Sequence, residues 1–472
     1  MSEIKRVNLP YQTSLLSFFS VVRDLPFPAF LDSNHEHFLD TNYDILVANP
    51  LARIHPTSYD SPITWRKTPL YELQSTHNPM DLLNELMTLI CQEPWAISAP
   101  KELPFTGGLL GYYGYESGHF VEKLPDTVQH DIQLKSLDVG LYAWAVITSH
   151  KDKTTQLVLT PWCDKSEENE LVQRFTKAHI LERKDQEDRT PFTLQAPFVS
   201  NMTKDDYAQK FTTIQDYIQS GDCYQVNLAQ RFSSTYQGDT FSAYQTLRNI
   251  CPTPFSAYME ISPEQSILCH SPERFLLCDN GRIESKPIKG TIARGATPKA
   301  DKANADWLIA SEKNRSENLM IVDLLRNDLG RTCLTGSIKV PKLFALESYA
   351  NVHHLVSTVE GRIDKADKAI HVFHQSFPGG SITGAPKIRA MEIIDELEPH
   401  QRSVYCGSIA YFSANGQMDS NITIRTLVAD HGNLHCWAGG GLVSDSKCQE
   451  EYQETFTKVG KLTHTLEHVF LK

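Results

Sequence analysis

Residues 378–399 read PGGSITGAPKIRAMEIIDELEP, a glycine-rich loop that runs directly into an amphipathic pattern. The pattern predicts a helix over 385–397 with Pro386 in its first turn, where proline is tolerated. Free backbone N–H groups at the start of a helix bind anions, and a carboxylate is as suitable a ligand as a phosphate. Because neither GxxxxGK[ST] nor GxGxxG occurs, a nucleotide site is disfavoured. Glycines are also common in plain turns, so that simpler interpretation stays open for the loop alone.

Helical and strand-like patterns alternate on both sides of this segment. Apolar spacings of three and four residues predict helices over 203–220, 302–328 and 446 to the end. Alternating or apolar runs predict strands over 43–48, 105–116, 223–232, 254–261, 403–412, 421–428 and 434–438, and a pair of strands over 138–149. Asn415-Gly416 is typical of a hairpin turn between two of these strands.

The charged stretch 164–201 has little apolar periodicity and is predicted to be a linker or boundary. It divides the chain into an N-terminal region, 1–163, and a C-terminal region, 202–472. We nevertheless expect the two halves to intertwine rather than to separate cleanly.

Composition limits the class of protein. The chain has 472 residues and 40% apolar content, so it can bury a large core. A net charge of -12 and a pI of about 5.8 argue against nucleic-acid binding but allow a small anionic substrate. Ten cysteines without a CxxC pair, and no apolar stretch of 18 residues, predict a soluble cytoplasmic protein without a membrane partner.

Two glutamates of the last predicted helix are candidate metal ligands. Glu451, Glu454 and Lys458 share one face at i, i+3 and i+7, beside an apolar stripe. Two carboxylates held there would repel each other unless a cation neutralised them, and Mg²⁺ prefers oxygen ligands. A solvated face with a Glu454–Lys458 pair is the alternative. Glu317 is a further candidate, with an ordinary first-turn acid as its alternative.

Three other features could bind or react with an anion. Residues 438–441, AGGG, are interpreted as a second glycine loop before the last helix. Arg425 lies in the predicted strand 422–427, and Tyr405 and Tyr411 share one face of the strand predicted to lie opposite it. Arg425 and a tyrosine hydroxyl would hold a carboxylate, unless the arginine forms a structural bridge to an acid. Lys289, in KPIKGTIARG (286–295), becomes a nucleophile if desolvated, whereas an exposed salt-bridged lysine is the alternative.

Ten segments, taken in order, resemble the chorismate-utilising enzymes. They are GDCYQVNLAQR (221–231), SPERF (271–275), KPIKGTIARG (286–295), ENLMIVDLLRNDLGR (317–331), HLVSTVEG (354–361), PGGSITGAPKIRAMEIIDELEP (378–399), YCGSIAY (405–411), ITIRT (422–426), AGGGLVSDS (438–446) and EEYQETFTK (450–458). The strong resemblance covers about 200–465. A weaker one covers the N-terminal region through LPFPAFLDS, YDILVANP and GGLLGYYGYE. The resemblance to this family implies an α+β fold with an antiparallel β-sandwich core and helices outside.

The resemblance implies a dicarboxylate substrate, chorismate, and a Mg²⁺ cofactor. Glu317 and Glu454 would bind the ion directly and Glu451 through water. The implied substrate-binding residues are Thr291, Thr383, Gly384, Tyr405, Arg425, Gly441 and Lys458.

Two positions indicate which branch of the family the chain resembles. Lys289 marks the branch that makes 4-amino-4-deoxychorismate for p-aminobenzoate and folate synthesis, where this lysine attacks the ring and ammonia displaces it. Anthranilate synthases carry alanine there. The branches that add water carry a lysine where this chain has Gln225, and an amide cannot act as that base. Glu273 and His354 match the family's acid–base positions.

The resemblance also implies partners. Because no segment resembles a glutaminase, ammonia is expected from a separate glutamine amidotransferase subunit. Some relatives hold a tryptophan near residues matching 30–33, Tyr43 and 251–256, so tryptophan is retained as a candidate ligand. Anthranilate synthase component I and a non-catalytic chorismate-binding homologue are the alternative functions.

Overall fold

Helices and antiparallel strands make up the computed structural model, which describes residues 3–38, 42–56, 62–66, 68–74, 78–178, 189–348 and 352–471. The strands are β1 (Lys5–Leu9), β2 (Ala29–Asp32), β3 (Tyr43–Val47), β4 (Ala52–Ile54), β5 (Ile63–Trp65), β6 (Gly108–Tyr113), β7 (Leu137–Tyr142), β8 (Trp144–Ser149), β9 (Thr154–Leu159), β10 (Thr193–Leu194), β11 (Val199–Ser200), β12 (Gln225–Gln237), β13 (Phe255–Ser262), β14 (Gln265–Ser271), β15 (Arg274–Asp279), β16 (Arg282–Ser285), β17 (Ile288–Ala293), β18 (Lys339–Ser348), β19 (Val352–Arg362), β20 (Gly384–Ala385), β21 (Ser408–Ser413), β22 (Met418–Asn421), β23 (Thr426–Asp430) and β24 (Asn433–Leu442).

The helices vary from single turns to more than twenty residues. They are α1 (Leu16–Ser20), α2 (Pro79–Gln92), α3 (Pro94–Ile97), α4 (Lys165–Thr176), α5 (Lys204–Ser220), α6 (Thr240–Ile250), α7 (Pro298–Ala310), α8 (Glu312–Gly330), α9 (Lys368–Ser376), α10 (Lys387–Leu397) and α11 (Cys448–Phe470), with 3₁₀ helices at Tyr115–Phe120 and Gly380–Ile382. Several starts have a local cause: the Thr203 hydroxyl and Asp206 form a capping box at the start of α5.

Two large antiparallel sheets form the centre of the fold. One has 13 strands in the order β1-β9-β8-β3-β2-β13-β14-β23-β24-β12-β10, with β11 and β20 also paired to β12. The other has 11 strands in the order β17-β19-β16-β15-β22-β21-β6-β7-β4-β5, with β18 paired to β19. The expectation of an α+β fold with antiparallel sheets is confirmed.

Both faces of the 13-stranded sheet are buried, as the alternation in β3 illustrates. Ile45 and Val47 belong to the core shared with the second sheet, whereas Leu46 belongs to a second core beneath helices α1, α4, α6 and α11. Because successive side chains of a strand point to opposite faces, one strand contributes to both cores. Helices therefore cover the outer face of this sheet, and α11 is one of them.

The two sequence regions share both sheets. Strand β2 of the N-terminal region pairs with β13 of the C-terminal region, and β6 pairs with β21. Within the predicted linker, Asp164 caps helix α4 through the N–H of Glu167. Residues 179–188 of that linker lie outside the described residues. The boundary over 164–201 stays a prediction about the sequence.

Several local predictions were wrong. The helix predicted over 302–328 is two helices, because Ser311 takes an extended conformation and caps α8. The strand predicted over 421–428 is interrupted between β22 and β23, and Arg425 has a left-handed φ of 50°. The 438–441 glycines lie inside strand β24 and not in a loop. Among the described residues, no helix combines the length and apolarity needed to cross a membrane.

Candidate active site

Lys289 is placed by an irregularity between β17 and β19. Ile288 pairs with Val356 and Thr291 with His354, so the register shifts by one residue between them. Gly290, with a φ of 81°, provides the left-handed conformation that such a β-bulge needs. Bulges redirect side chains, and here the Lys289 Nζ comes within 3.4 Å of the Ser381 carbonyl oxygen of the glycine-rich loop.

The net effect of its surroundings is to lower the pKa of the Lys289 amine. Burial lowers the pKa of the Lys289 ammonium, and nearby Lys458 lowers it further. Glu273, Glu317 and Glu454 act in the opposite direction, which shows that three carboxylates surround this amine. The alternative of an exposed, salt-bridged lysine does not describe this side chain.

Glu273 lies between β14 and β15 and faces Lys289. Burial raises the pKa of the Glu273 carboxyl to about 7, although Lys289 and the Ser381 side chain both favour its charged form. Its carbonyl oxygen accepts a hydrogen bond from the Ile422 N–H at 3.0 Å. A carboxyl that titrates near neutrality can both accept and donate a proton during one reaction.

His354 lies opposite Thr291 on the paired strand. The Thr291 hydroxyl is 2.8 Å from the His354 Nδ1, and Thr291 itself is exposed. Burial lowers the pKa of the His354 imidazole, and the neighbouring Arg425 guanidinium lowers it further. A neutral imidazole is therefore the resting form at neutral pH.

The Arg425 guanidinium has neither a hydrogen bond nor an ion pair with any part of the chain that the structure describes. Loss of solvation lowers the pKa of Arg425, and Cys251 and Glu273 are the groups that oppose this shift. The predicted alternative, a structural bridge to an acid, is therefore not what the described residues form. An arginine without an acidic partner is suited to bind a carboxylate from outside the chain.

The prediction that Tyr405 lies on a strand opposite Arg425 was wrong. Tyr405 lies in a turn before β21, at 4% exposure, and its ring stacks on Trp437 with centroids 6.2 Å apart and planes 6° apart. The strand pattern of 403–412 misled because the turn contains apolar residues that are buried. The proposed carboxylate fork of Arg425 and Tyr405 stays a prediction.

The glycine-rich loop is held against strand β12. Gly384 pairs with Val226, and its φ of 151° is a conformation that side chains rarely adopt. Thr383 is completely buried, and its hydroxyl donates to the Gly379 carbonyl oxygen at 3.0 Å. These contacts place the loop against the sheet.

Helix α11 brings two of the predicted charged residues over strand β24. The Ser446 hydroxyl donates to Glu451 Oε1 at 2.7 Å, and burial raises the pKa of this glutamate. Gly440 lies directly beneath, because a Cβ there would be 2.9 Å from Glu451 Oε2 and 3.9 Å from the Lys458 Nζ. The glycine in mid-strand leaves room for these charged groups.

Glu454 forms an ion pair with a lysine and is not part of a cluster of carboxylates among the described residues. The Lys458 Nζ donates to Glu454 Oε1 at 2.7 Å and to the Gly439 carbonyl oxygen at 2.8 Å. This is the i, i+4 pair of the alternative interpretation. Within the described ranges, no group of three or more His, Cys, Asp or Glu side chains is already arranged to hold a metal ion. The carboxylates of Glu317 and Glu454 nevertheless both act on Lys289 from two different helices.

Two further residues contribute to this site: Ser381, which did not stand out in the sequence, and Gln225, which did. Ser381 contacts both Lys289 and Glu273, and its position inside the glycine-rich loop was the available signal. The side-chain nitrogen of Gln225 is buried without a hydrogen-bond partner, and a Cβ on Gly441 would approach it to 2.8 Å. Gln225 therefore lies between the glycine-rich loop and strand β24.

Comparison with known proteins identifies the family. The profile of the chorismate binding enzymes matches residues 47–464. Aminodeoxychorismate synthase component 1 of Escherichia coli (strain K12) is 43% identical over 450 residues, which is 95% of both chains. Anthranilate synthase component 1 1 of Haloarcula marismortui is 37% identical and covers 78% of this chain and 76% of its own.

A solved structure agrees with this assignment. The structure of anthranilate synthase component I from Streptococcus pneumoniae TIGR4 has a TM-score of 0.76 and 30% identity, and it covers 90% of this chain and 92% of its own. Both the sequence matches and the shared fold extend over most of the molecule, and the family profile includes Lys289. The chain therefore belongs to the chorismate binding enzyme family.

Proposed function

We propose that this enzyme converts chorismate and ammonia into 4-amino-4-deoxychorismate, the precursor of p-aminobenzoate in folate synthesis. The observation that carries the proposal is the Lys289 amine, which a β-bulge directs toward Glu273 and whose pKa is lowered by burial. Relatives named aminodeoxychorismate synthase component 1 at 42–43% identity support the same reaction. A site built only to bind chorismate would not need a desolvated amine.

The proposed chemistry consists of two displacements. The neutral Lys289 amine bonds to ring C2, the two double bonds shift around the ring, and the C4 hydroxyl leaves after it receives a proton. Ammonia then bonds to C4, the double bonds shift back, and the lysine leaves C2. The sum exchanges one hydroxyl for one amine and releases water, which restores Lys289 for the next cycle.

Two residues are proposed to move the protons. Glu273, whose pKa is about 7, exchanges protons with Lys289 and with the incoming amine. His354, held by Thr291 at 2.8 Å, assists the departure of the C4 hydroxyl. Both are half-buried, so water competes little with these transfers.

The anionic groups of chorismate are proposed to lie between the glycine-rich loop and α11. Arg425 and Tyr405 would hold the enolpyruvyl carboxylate together with the backbone of Gly441. Thr291, Thr383, Gly384 and Lys458 would complete the anion contacts. Arg425 supports this arrangement, because no described residue pairs with its guanidinium, which is therefore available for charge-assisted hydrogen bonds to an anionic ligand.

Mg²⁺ is proposed as the cofactor that neutralises the ring carboxylate when it is bound. The donor set fits such an ion: Glu317 and Glu454 supply carboxylate oxygens from two helices, and Glu451 faces the space above Gly440. Glu317 and Glu454 would hold the ion directly, and Glu451 would support it through water. Lys458, which now neutralises Glu454, would then be released to contact substrate.

Ammonia is proposed to come from a glutamine amidotransferase subunit. The designation component 1 in the names of the relatives supports the existence of a partner. Ammonium salts at high pH should replace this subunit in the test tube. The cytoplasm is the proposed compartment, since all ten cysteines are unpaired.

Tryptophan remains a candidate ligand of the N-terminal region. Ser33 and Asn34 lie beside segment 251–256, and the Asn34 side chain donates to the Thr253 carbonyl oxygen at 2.9 Å. The Ser33 hydroxyl donates to Asp44 at 2.7 Å. Native mass spectrometry of the purified protein, with and without added tryptophan, would test for this ligand.

The reaction is tested by incubating the purified protein with chorismate, MgCl₂ and ammonium chloride and analysing the mixture by mass. We expect 4-amino-4-deoxychorismate, converted to p-aminobenzoate only after a lyase is added. Fluorescent anthranilate with pyruvate, formed without a lyase, would instead identify an anthranilate synthase. Unchanged chorismate that nevertheless binds in calorimetry would identify a non-catalytic homologue.

Replacing Arg425 with methionine should raise the KM for chorismate by about 100-fold, since a charge-assisted hydrogen bond contributes about 1.5–3 kcal/mol. Steady-state kinetics would measure this change. Arg53→Lys is the control, because Arg53 is already paired with Asp138 in the N-terminal region. Equal KM values for the two variants would contradict the role of Arg425.

The kcat/KM for chorismate should rise as the pH increases through about 7. Below that pH Glu273 is protonated and cannot accept the proton of the Lys289 ammonium, whereas above it the carboxylate can. Glu273→Gln should remove this limb from the pH profile. Glu260→Gln is the control, because burial also raises the pKa of Glu260, whose partner Arg23 lies away from the proposed site. A limb that persists in Glu273→Gln but disappears in Glu260→Gln would contradict the role of Glu273.

A further inference from the structure

Arg402 is a fully buried arginine whose partners come from several substrate-binding segments. Its side chain is 1% exposed, and the residue lies shortly after the end of helix α10. Nε donates to Glu398 Oε2 at 2.9 Å and Nη2 to Glu398 Oε1 at 2.6 Å. A buried ion pair adds little stability compared with apolar packing, because both charges lose their hydration. Its geometry therefore needs another explanation.

The remaining donors of Arg402 join two segments that are far apart in sequence. Nη2 donates to the Asn227 carbonyl oxygen at 2.7 Å, and Nη1 donates to the Ile382 carbonyl oxygen at 3.2 Å. Asn227 pairs with Gly441 in the sheet, and Ile382 directly precedes Thr383. One guanidinium thus fixes strand β12 relative to the glycine-rich loop.

The flat guanidinium also contacts a third segment. Its central carbon lies 4.7 Å from the Tyr115 ring centroid and 5.7 Å from that of Tyr405. Tyr405 is covered on another side by Trp437. Cation–π contacts of this kind orient a ring as well as attract it.

The turn that carries Tyr405 is anchored from the N-terminal region. Ser403 and Cys406 have left-handed φ angles of 53° and 62°. The carboxylate of Glu116 accepts hydrogen bonds from the N–H groups of Arg402 at 2.7 Å and Ser403 at 3.2 Å. Such a backbone conformation persists only where its surroundings hold it.

We infer that Arg402 is a positioning residue that holds Tyr405, the Thr383 loop and the β12–β24 strand pair in the arrangement that binds chorismate. The inference rests on the proposed substrate contacts of Tyr405, Thr383 and Gly441. Arg402 itself is enclosed by protein and acts only through these neighbours. Lysine cannot replace it, because an ammonium lacks the planar fork that reaches Glu398 and two carbonyl oxygens together.

Arg402→Lys tests the inference against Arg23→Lys as a matched control. Arg23 is also buried, is paired with Asp239 and Glu260, and stacks on an aromatic ring, but its partners lie away from the proposed site. Both variants should have lower melting temperatures. Only Arg402→Lys should raise the KM for chorismate, by more than about tenfold, while kcat changes by less than about threefold.

A double-mutant cycle of Arg402→Lys with Tyr405→Phe tests whether Arg402 affects the KM for chorismate through Tyr405. If Arg402 acts through Tyr405, the two substitutions together should raise KM by less than the product of their separate effects. A KM within threefold of wild type in Arg402→Lys, or independent effects of the two substitutions, would overturn the inference. If Arg402→Lys does not fold, Glu398→Gln replaces it in these measurements. A KM for chorismate that is unchanged in Glu398→Gln would also contradict the inference.

The same experiment separates this inference from the proposed reaction. KM is measured for whichever product chorismate yields, and chorismate affinity is also measured by calorimetry. Formation of anthranilate by the wild-type protein would refute the proposed amination. The comparison of Arg402→Lys with Arg23→Lys would still decide whether Arg402 positions the binding segments.

Discussion

Lys289→Ala should reduce the kcat for 4-amino-4-deoxychorismate formation by more than about 10³-fold, because the covalent route then has no nucleophile. The amine is suited to this role by its position and its lowered pKa. A β-bulge at Gly290 directs it, and burial lowers its pKa. A methyl group keeps neither property, and ammonia would have to attack an unactivated ring.

Mass spectrometry of the intact protein during turnover supplies the second measurement. Wild-type protein mixed with chorismate without ammonia should carry a covalent adduct at Lys289, and Lys289→Ala should carry none. Lys286→Ala is the matched control, since Lys286 lies three residues away and is paired with Glu347 at 2.8 Å. An unchanged product and rate in Lys289→Ala would refute the covalent mechanism.

Glu317→Gln should lower kcat/KM by at least about 100-fold and raise the Mg²⁺ concentration needed for half-maximal activity. Glu317 lies on α8 close enough to Lys289 to affect its charge, as does Glu454 on α11. Removal of one carboxylate leaves the proposed ion with a single direct protein ligand. The ring carboxylate of chorismate would then be less well neutralised.

Asp323→Asn, on the same helix, is the control for this prediction. Asp323 is exposed and paired with Arg326, so its loss should leave the Mg²⁺ dependence unchanged. Calorimetric titration of Mg²⁺ into the Lys289→Ala protein with chorismate, with and without Glu317→Gln, measures the ion's affinity without turnover. Equal affinities would exclude Glu317 as a ligand.

Several elements were predictable because their patterns are local. The strand at Tyr43–Val47, the helix at Lys204–Ser220 and the turn at Asn415-Gly416 are confirmed close to their predicted bounds. Each combines an apolar periodicity with a cap or turn residue that acts within a few positions. Short-range interactions decide such elements, so the order of residues is sufficient.

The predictions failed where contacts between distant segments override the local pattern. The sequence ITIRT alternates like a strand, yet Arg425 adopts a left-handed conformation between β22 and β23. The glycines of AGGG resemble a loop, yet they pair with β12, and the missing side chain at Gly440 leaves room for Glu451 and Lys458. Propensity is a weak guide where another element approaches the backbone this closely.

The sequence by itself determined the chemical groups that are available: an amine at Lys289, carboxylates at Glu273 and Glu317, and glycines where backbones meet. Ten ordered segments also identified the family before any contact was known. Only the tertiary structure decided which groups have shifted pKa values and which are paired, as in the lowered pKa of Lys289 and in Arg425, whose guanidinium pairs with none of the described residues. The physical reason is that desolvation and charge pairing depend on neighbours brought together by folding, often from hundreds of residues away.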